Sequence, residues 1–327
     1  MSATHGVAII GSGTVADLHV KALRRHGGNV ALRGVFSLDL NQASHKAQQW
    51  ACRTYSTLNE LLSDEEVEIV IIASPVEAHF DQATAALTAG KHVLVEKPVA
   101  LHSDEVAQLV RTAKTCGKVC APGHNYVYDY EIQRMKDFIA SGQAGAVASF
   151  WMIYNLAHPL SVLELYPGAL RQIMTHHLSV ALYLFGAPAW ISANVSKIRA
   201  AKKEEQAVIT LEYENGLLAN LFSSMAVDDE TSTPWSVIFK VLGTEGGATF
   251  SWRDYVRREQ SSNLGLGYYL YEDSFYQEQA QFLQHLEHPE AGRLRSTLHD
   301  AMLVAYALEL AEQAVQTRAA QPFLPYQ

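Results

Sequence analysis

The first apolar run of this chain leads straight into its most constraining motif. Gly6-Val7-Ala8-Ile9-Ile10 is short and almost wholly apolar, the pattern of a strand buried on both faces. It continues into Gly11, Ser12, Gly13, Thr14, Val15 and Ala16. Gly11 permits a tight turn, and Gly13 lets backbone approach a pyrophosphate. Ala16, where a third glycine is usual, is still small enough for close helix–strand packing. The helix that follows carries Val15, Leu18 and Ala22 at helical spacing. Arg24, Arg25 and His26 lie near its negative end, and Gly27-Gly28 forms a stop. Its N-terminus would face the phosphates of a dinucleotide. Taken alone, the same residues also suit an ordinary glycine-rich turn.

The strand–helix alternation then repeats. Ala31–Phe36 reads as a second strand, followed by a helix over 41–51, and Ser56 is placed to cap Leu58–Leu62. Val67–Ala73 is a buried strand by its β-branched content. A helix with Phe80, Ala83 and Leu87 on one face stops at Gly90, and the run His92–Val95 ends in Glu96-Lys97-Pro98. Ser103 is the expected cap of a helix that buries Val106, Leu109, Val110 and Ala113 and ends at Gly117, before a strand over 118–121. Repeated β-α units of this kind predict a doubly wound parallel sheet over residues 1–122.

From residue 123 to 327 the pattern predicts an α+β domain. A helix over 129–140 buries Ile132, Met135 and Ile139. Strands are expected over 146–156, 189–197, 205–213, 217–225, 235–242 and 247–252, with Asn215-Gly216 as a hairpin turn. Helices over 274–287 and 296–317 close the chain, giving a mostly antiparallel open sheet with helices on one face. Residues 255–273, with Gly265, Gly267 and Tyr271, read as an irregular stretch that suits a lid, an oligomer contact or a plain surface loop.

At 327 residues the chain is long for one core, which agrees with two domains. No apolar stretch approaches a membrane span of roughly 18 residues, and the start Met1-Ser2-Ala3-Thr4-His5 is neither basic nor apolar, so no secretion signal is expected. Cys52, Cys116 and Cys120 make a poor disulfide framework. Cys116 and Cys120 have no His/Cys set nearby, so no metal site is expected and a reducing cytoplasm fits. A net charge of −9 disfavours nucleic acid as a partner.

Together, these features resemble the glucose–fructose oxidoreductase / inositol dehydrogenase / MocA group of NAD(P)-dependent oxidoreductases. The resemblance rests on Gly11-x-Gly13-x-x-Ala16, Ala73-Ser74-Pro75-x-x-x-His79, Gly90 through Pro98, Gly168-Ala169-Leu170 with His176, and Gly243-Thr244-Glu245-Gly246-Gly247. It implies a Rossmann domain that binds NAD or NADP, with Ser74, Pro75, His79 and Glu96 joining the glycine loop. It also implies a sugar or polyol substrate and, through the second-domain sheet, a homodimer or homotetramer.

Lys97 is the expected proton-transfer residue. Pro98 disfavours helical backbone at Lys97, keeping it at the carboxyl edge of the sheet, where such folds place ligands. A partly desolvated lysine near oxidised nicotinamide ionises below its usual range and can exchange a proton with a substrate hydroxyl. A helix over 168–186 would place Gln172, His176 and Ser179 on one face, with His177 packed on the other. His176 matches the family histidine that binds the substrate hydroxyl. Gln172 stands where many relatives carry aspartate, and an amide hydrogen-bonds but cannot ionise. Tyr126, Tyr154 and Arg171 are further substrate candidates. Arg171 reads more readily as a solvated helix charge, and Tyr126 and Tyr128 could stack on a sugar ring or simply pack there.

Cofactor choice turns on the end of the second strand. Ser37 stands where an acidic residue would select NAD, Asp39 lies two residues on, and His45 and Lys46 are the nearest bases. The sequence leaves NAD and NADP open. The reading is an oxidoreductase acting on a secondary alcohol or ketone of a sugar, sugar derivative or cyclitol. The competing readings are a nucleotide-binding regulator or pseudoenzyme on the same fold, and an NAD-dependent glycoside hydrolase.

Overall fold

The computed structural model describes residues 4–199, 201–227, 236–251, 265–291 and 293–326. The chain forms two compact units, Met1–Tyr128 with Glu272–Met302, and Asp129–Tyr271 with Leu303–Gln327.

The first unit contains β1 (His5–Ile10), α1 (Thr14–Arg25), β2 (Val30–Phe36), α2 (Leu40–Trp50), β3 (Arg53–Thr54) and α3 (Leu58–Ser63). It continues through β4 (Ile69–Ile72), α4 (His79–Thr88), β5 (His92–Glu96), α5 (Ser103–Cys116) and β6 (Cys120–Gly123). The strands form a six-stranded sheet of order β3-β2-β1-β4-β5-β6, with every pairing parallel. Every residue of β1 is buried, as its apolar run requires. β2 adds on one side of β1 and β4 on the other, so the winding direction reverses there. The crevice at that reversal is where doubly wound folds bind ligands. Val7, Ile9, Ala16, Val20, Ile71 and Leu94 pack into one core, and Phe282 from the C-terminal part of the unit joins them.

The second unit contains α6 (Tyr130–Ala140), β7 (Val147–Asn155), α7 (Leu160–Leu163), α8 (Ala169–Gln172), α9 (Met174–Phe185), β8 (Trp190–Ser196) and β9 (Gln206–Glu212). β10 (Leu218–Ser224), β11 (Ser236–Gly243) and β12 (Gly247–Ser251) follow. α10 (Gly265–Glu287) and α11 (Leu298–Thr317) each run across a unit boundary, and β13 (Gln321–Pro322) ends the chain. The sheet order is β12-β11-β7-β10-β9-β8-β13. Its pairings are antiparallel except that of β7 with β10. One face, including Phe150, Met152, Ile209, Leu221, Phe239 and Val241, is buried, and α8 and α9 pack against β10. The opposite face leaves Trp151 44% and Trp190 46% exposed, beside Val208 and Leu218. Asn215-Gly216 turns the β9–β10 hairpin with Gly216 at φ +85, which glycine adopts without strain.

Four local expectations are corrected. The 168–186 helix is two helices broken at Ile173 (φ −104, ψ −41). The Thr175 hydroxyl donates to the Arg171 carbonyl at 2.7 Å, taking the acceptor that a continuous helix would give to backbone, and the His176 amide bonds Ile173 instead. The stretch read as irregular is helical from Gly265, despite the poor helix propensity of its glycines. Residues 255–264 of that stretch lie outside the described residues, as does Trp252 at the end of the expected last strand. Thr57, not Ser56, caps α3 by accepting from the Glu60 amide at 3.1 Å, while the Glu60 carboxylate reaches back to the Ser56 amide. His102 is the residue before α5, so Ser103 is its first helical position rather than its cap.

Candidate active site

The glycine loop lies at the winding reversal. Gly11 has φ +112, and a Cβ there would fall 2.3 Å from the Ala73 carbonyl oxygen, so β1 and β4 can come together only around a glycine. Gly13 is different: its φ is ordinary and a Cβ would meet nothing within 4 Å. It sits at the N-terminus of α1, which no side chain caps, and Gly13 and Thr14 are exposed. An open cradle at an uncapped helix N-terminus suits a pyrophosphate. Ala16 is buried behind it, and Val15 is half-buried. Ser12 is buried and hydrogen-bonds the Gln42 side chain, with the Ser37 hydroxyl 3.1 Å away.

The ends of β4 and β5 are tied together. The Ser74 hydroxyl donates to Gln82 at 2.6 Å. Pro75 leads into the turn before α4, and His79, buried at the start of that helix, places its ring nitrogens 2.8 Å from the carbonyl oxygens of Ser74 and Pro98. The Lys97–Pro98 peptide is cis. Lys97 is half-buried. Burial holds its ammonium below the usual lysine range, against the opposing pull of Glu96. Glu96, expected with the cofactor residues, turns its carboxylate into the unit, 2.8 Å from His19 Nε2. Burial pushes that carboxyl up, yet the His19 hydrogen bond and the Lys97 charge hold it below the usual range. Tyr126, in the turn after β6, is buried.

In the second unit, Gln172 ends α8 and His176 lies buried in the first turn of α9, where its carbonyl accepts from the Ser179 hydroxyl at 2.8 Å. Arg171 is held by Glu312 through two hydrogen bonds of 2.5 and 2.8 Å, so the guanidinium proposed for a substrate anion already faces a carboxylate. Tyr154 is buried with its hydroxyl 3.5 Å from His158. His177 is fully buried, and burial pushes its pKa down to about 3. That is the behaviour of a neutral packed histidine.

The first unit thus gathers the glycine loop, Ser37, Ser74, His79 and Lys97 at the carboxyl end of its sheet, and the second gathers Arg171, Gln172 and His176 on consecutive helices. Sequence reasoning missed His19, Glu278 and Gln279. The available signals were a histidine between Ala16 and Leu23 on an inward stripe, and two polar residues between the buried Phe275 and Phe282. Among the described residues no group of three His, Cys, Asp or Glu could hold a metal ion, and no helix is long and apolar enough to cross a membrane.

The chain is 30% identical over 200 residues to an uncharacterised oxidoreductase of Synechocystis, covering 58% of this chain. It is 29% identical over 219 residues, 67% of its length, to UDP-N-acetylglucosamine 3-dehydrogenase of Acidithiobacillus ferrooxidans. The chain spans 54% and 66% of those relatives' own lengths. Its fold matches that of GenD2 from gentamicin A biosynthesis, solved with NAD, at TM-score 0.87 and 24% identity over 99% of this chain and 98% of that one. Residues 5–124 match the model of an oxidoreductase family with an NAD-binding Rossmann fold, and residues 132–249 match the C-terminal domain of the same family. With both halves matched in order, this chain belongs to the GFO/IDH/MocA oxidoreductase family.

Proposed function

We propose that this chain is an NAD(P)-dependent oxidoreductase acting on a secondary alcohol or ketone of a sugar, sugar derivative or cyclitol. Lys97 is its proton-transfer residue. The observation that carries this reading is Lys97 itself: a half-buried lysine at the carboxyl edge of the nucleotide-binding sheet, its ammonium acidified by burial. Gly11 through Ala16, with Ser37, Ser74 and Pro75, would hold a nicotinamide dinucleotide, which would supply hydride exchange with the substrate carbon. In the oxidising direction neutral Lys97 takes the hydroxyl proton as the carbonyl forms, and in the reducing direction its ammonium returns that proton to the oxygen. His176 orients the hydroxyl, and Gln172 hydrogen-bonds the substrate without ionising.

The surroundings of Ser37 favour NAD over NADP. The Asp39 carboxylate covers the N-terminus of α2, accepting from the Gln42 amide at 3.0 Å. The Lys46 ammonium is engaged at 2.7 Å by Asp17. A 2′-phosphate there would meet an acidic cap and a lysine already engaged by Asp17, whereas a 2′-hydroxyl meets neutral hydroxyl and amide groups. The exposed sheet face around Trp151, Trp190, Val208 and Leu218 is read as the surface that pairs subunits into a dimer or tetramer. The free thiols of Cys52, Cys116 and Cys120 fit a reducing cytoplasm.

The experiment is a Lys97→Ala variant. After wild-type chain identifies a substrate in a sugar and polyol panel, Lys97→Ala should lose turnover by about 10²–10⁴-fold while binding NADH as before. Retained turnover overturns the proton-transfer role, and a wild type that binds neither NADH nor NADPH overturns the whole reading.

A further inference from the structure

Behind Lys97 lies a buried polar chain that the proposed reaction does not use. Glu96 Oε2 accepts from the Lys97 backbone amide at 3.1 Å, and Glu96 Oε1 lies 2.8 Å from Nε2 of His19, a fully buried residue of α1. The other ring nitrogen of His19, Nδ1, lies 3.1 Å from Nε2 of Gln279 in α10. The same amide nitrogen is 3.2 Å from the His19 carbonyl oxygen, a contact only a donor can make, so the amide nitrogen is the atom on that side. His19 Nδ1 therefore accepts, and the ring proton sits on Nε2, aimed at Glu96. On the facing strand, Gly123 pairs in register with Glu96, and a Cβ there would come within 3.2 Å of the Glu96 carboxyl carbon. That missing side chain leaves room for the carboxylate.

The neighbouring groups sharpen the role of Glu96. From α10, Glu278 is 1% exposed and neither carboxyl oxygen has a hydrogen-bond partner among the described residues. Burial, with Glu96 adding to it, pushes the Glu278 carboxyl well above the usual carboxylate range. From α4, burial holds His79 below the usual histidine range. From the turn after β6, burial lowers His124 to about 4 and keeps Tyr128 a neutral phenol. Asp300, which faces His124, accepts from Thr297 at the start of its own helix. Near neutral pH, Glu96 is thus the charge set against Lys97 by the surrounding elements.

We propose that His19 and Gln279 are positioning residues for Lys97: they hold Glu96 as a fixed carboxylate beside it and so set the acidity of its ammonium. This rests on Lys97 being the proton-transfer residue. Without His19, the Glu96 carboxylate is left buried with the Lys97 backbone amide as its hydrogen-bond donor. A carboxylate so placed takes up a proton, and Lys97 then loses the anion that offsets its desolvation.

The test needs no substrate. The pH dependence of Lys97 acylation by acetic anhydride, read by peptide mass spectrometry on the full apo chain, reports the Lys97 midpoint directly. Glu96→Gln and His19→Leu should each lower that midpoint by about one pH unit, the size of a nearby charge effect. The double variant should go no lower than Glu96→Gln alone. Gln279→Met, gentler on the core, should move it in the same direction by less, and it stands in if His19→Leu does not fold. The proposal is overturned if folded His19→Leu, or Gln279→Met in its place, keeps the wild-type midpoint, or if Glu96→Gln does. These midpoints do not depend on turnover, so a failure of the Lys97→Ala experiment would retire the catalytic role and leave the coupling standing or falling on its own.

Discussion

His79 Nδ1 stands 2.8 Å from the carbonyl oxygen of Pro98, the residue that follows Lys97. Its Nε2 is as close to the Ser74 carbonyl. Both partners only accept, and a neutral ring has one N–H to give. Replacing the ring by His79→Phe removes a tie between the segments that follow β4 and β5. NADH affinity should fall about tenfold, the worth of one or two hydrogen bonds, with the far-ultraviolet spectrum unchanged. Unaltered affinity would show that His79 has no part in shaping the nucleotide site.

Gly11 and Gly13 separate fold from function. At Gly11 any side chain strikes the Ala73 backbone, so Gly11→Ala should yield little folded protein. At Gly13 a side chain meets open space. Gly13→Val should therefore keep its Tm within a few degrees while filling the phosphate cradle and abolishing NADH binding. Thermal melts and a fluorescence titration decide it, and a Gly13→Val chain that binds NADH normally would displace the nucleotide from this loop.

Two buried histidines should make the fold sensitive to acid. Burial pushes His124 down to about 4 and His177 to about 3, against about 6.5 in an unfolded chain. Below pH 6.5 the unfolded state binds protons that the folded state refuses, so stability is complete above that value and falls as the pH drops toward the folded values. The loss is about 1.4 kcal/mol per pH unit for each group. Urea melts between pH 7 and 4 should show this slope, and His177→Phe should flatten it. A slope that His177→Phe leaves intact would assign the acid sensitivity elsewhere.

In the second unit, Arg199 binds the buried Glu205 carboxylate at 2.5 Å and also donates to the carbonyls of His158 and Met225. Arg199→Met removes the guanidinium and leaves the buried carboxylate to the backbone amides of Ile198 and Arg199 at 3.0 and 2.7 Å, and should destabilise the chain by about 3 kcal/mol, measured by urea denaturation. A loss below about 1 kcal/mol, the scale of an exposed pair, would mean water replaces the arginine at no great cost.

Cofactor preference can be tested at the end of β2. Titration of the wild type with NADH and NADPH in parallel should favour NADH. Asp39→Ser combined with Ser37→Arg removes the acidic cap and supplies a cation, and should move the preference toward NADPH by at least tenfold. Equal affinities in the wild type would remove Asp39 as the discriminating residue.

The sheets were largely legible in the sequence because their signals are local. β1 and β4 are short apolar runs, and the apolar stretches of β7 and β9 mark them as strands, although they do not say which face is buried. The Asn215-Gly216 turn fixes one hairpin outright. The break at Ile173 was not legible, since it depends on which acceptor the Thr175 hydroxyl takes, and either choice fits the same residues. The partners of Glu96 were hidden for a different reason: His19 and Gln279 lie 77 and 183 positions away from it, and no spacing rule links them. Arg171 shows the same limit, because its partner Glu312 is on another helix.

The return of Glu272–Met302 to the first unit has a consequence for how the chain is made. Phe282 completes the core under the nucleotide-binding sheet, but Asp129–Tyr271, 143 residues by count (271 − 129 + 1), are synthesised before that segment begins. At about 5–20 residues per second, the nascent first unit waits roughly 7–30 s with that side of its core open. Ribosome-bound chains stopped before residue 272 are therefore natural clients for holding chaperones, and cutting the gene after the sixth strand yields a fragment without the segment that finishes its core.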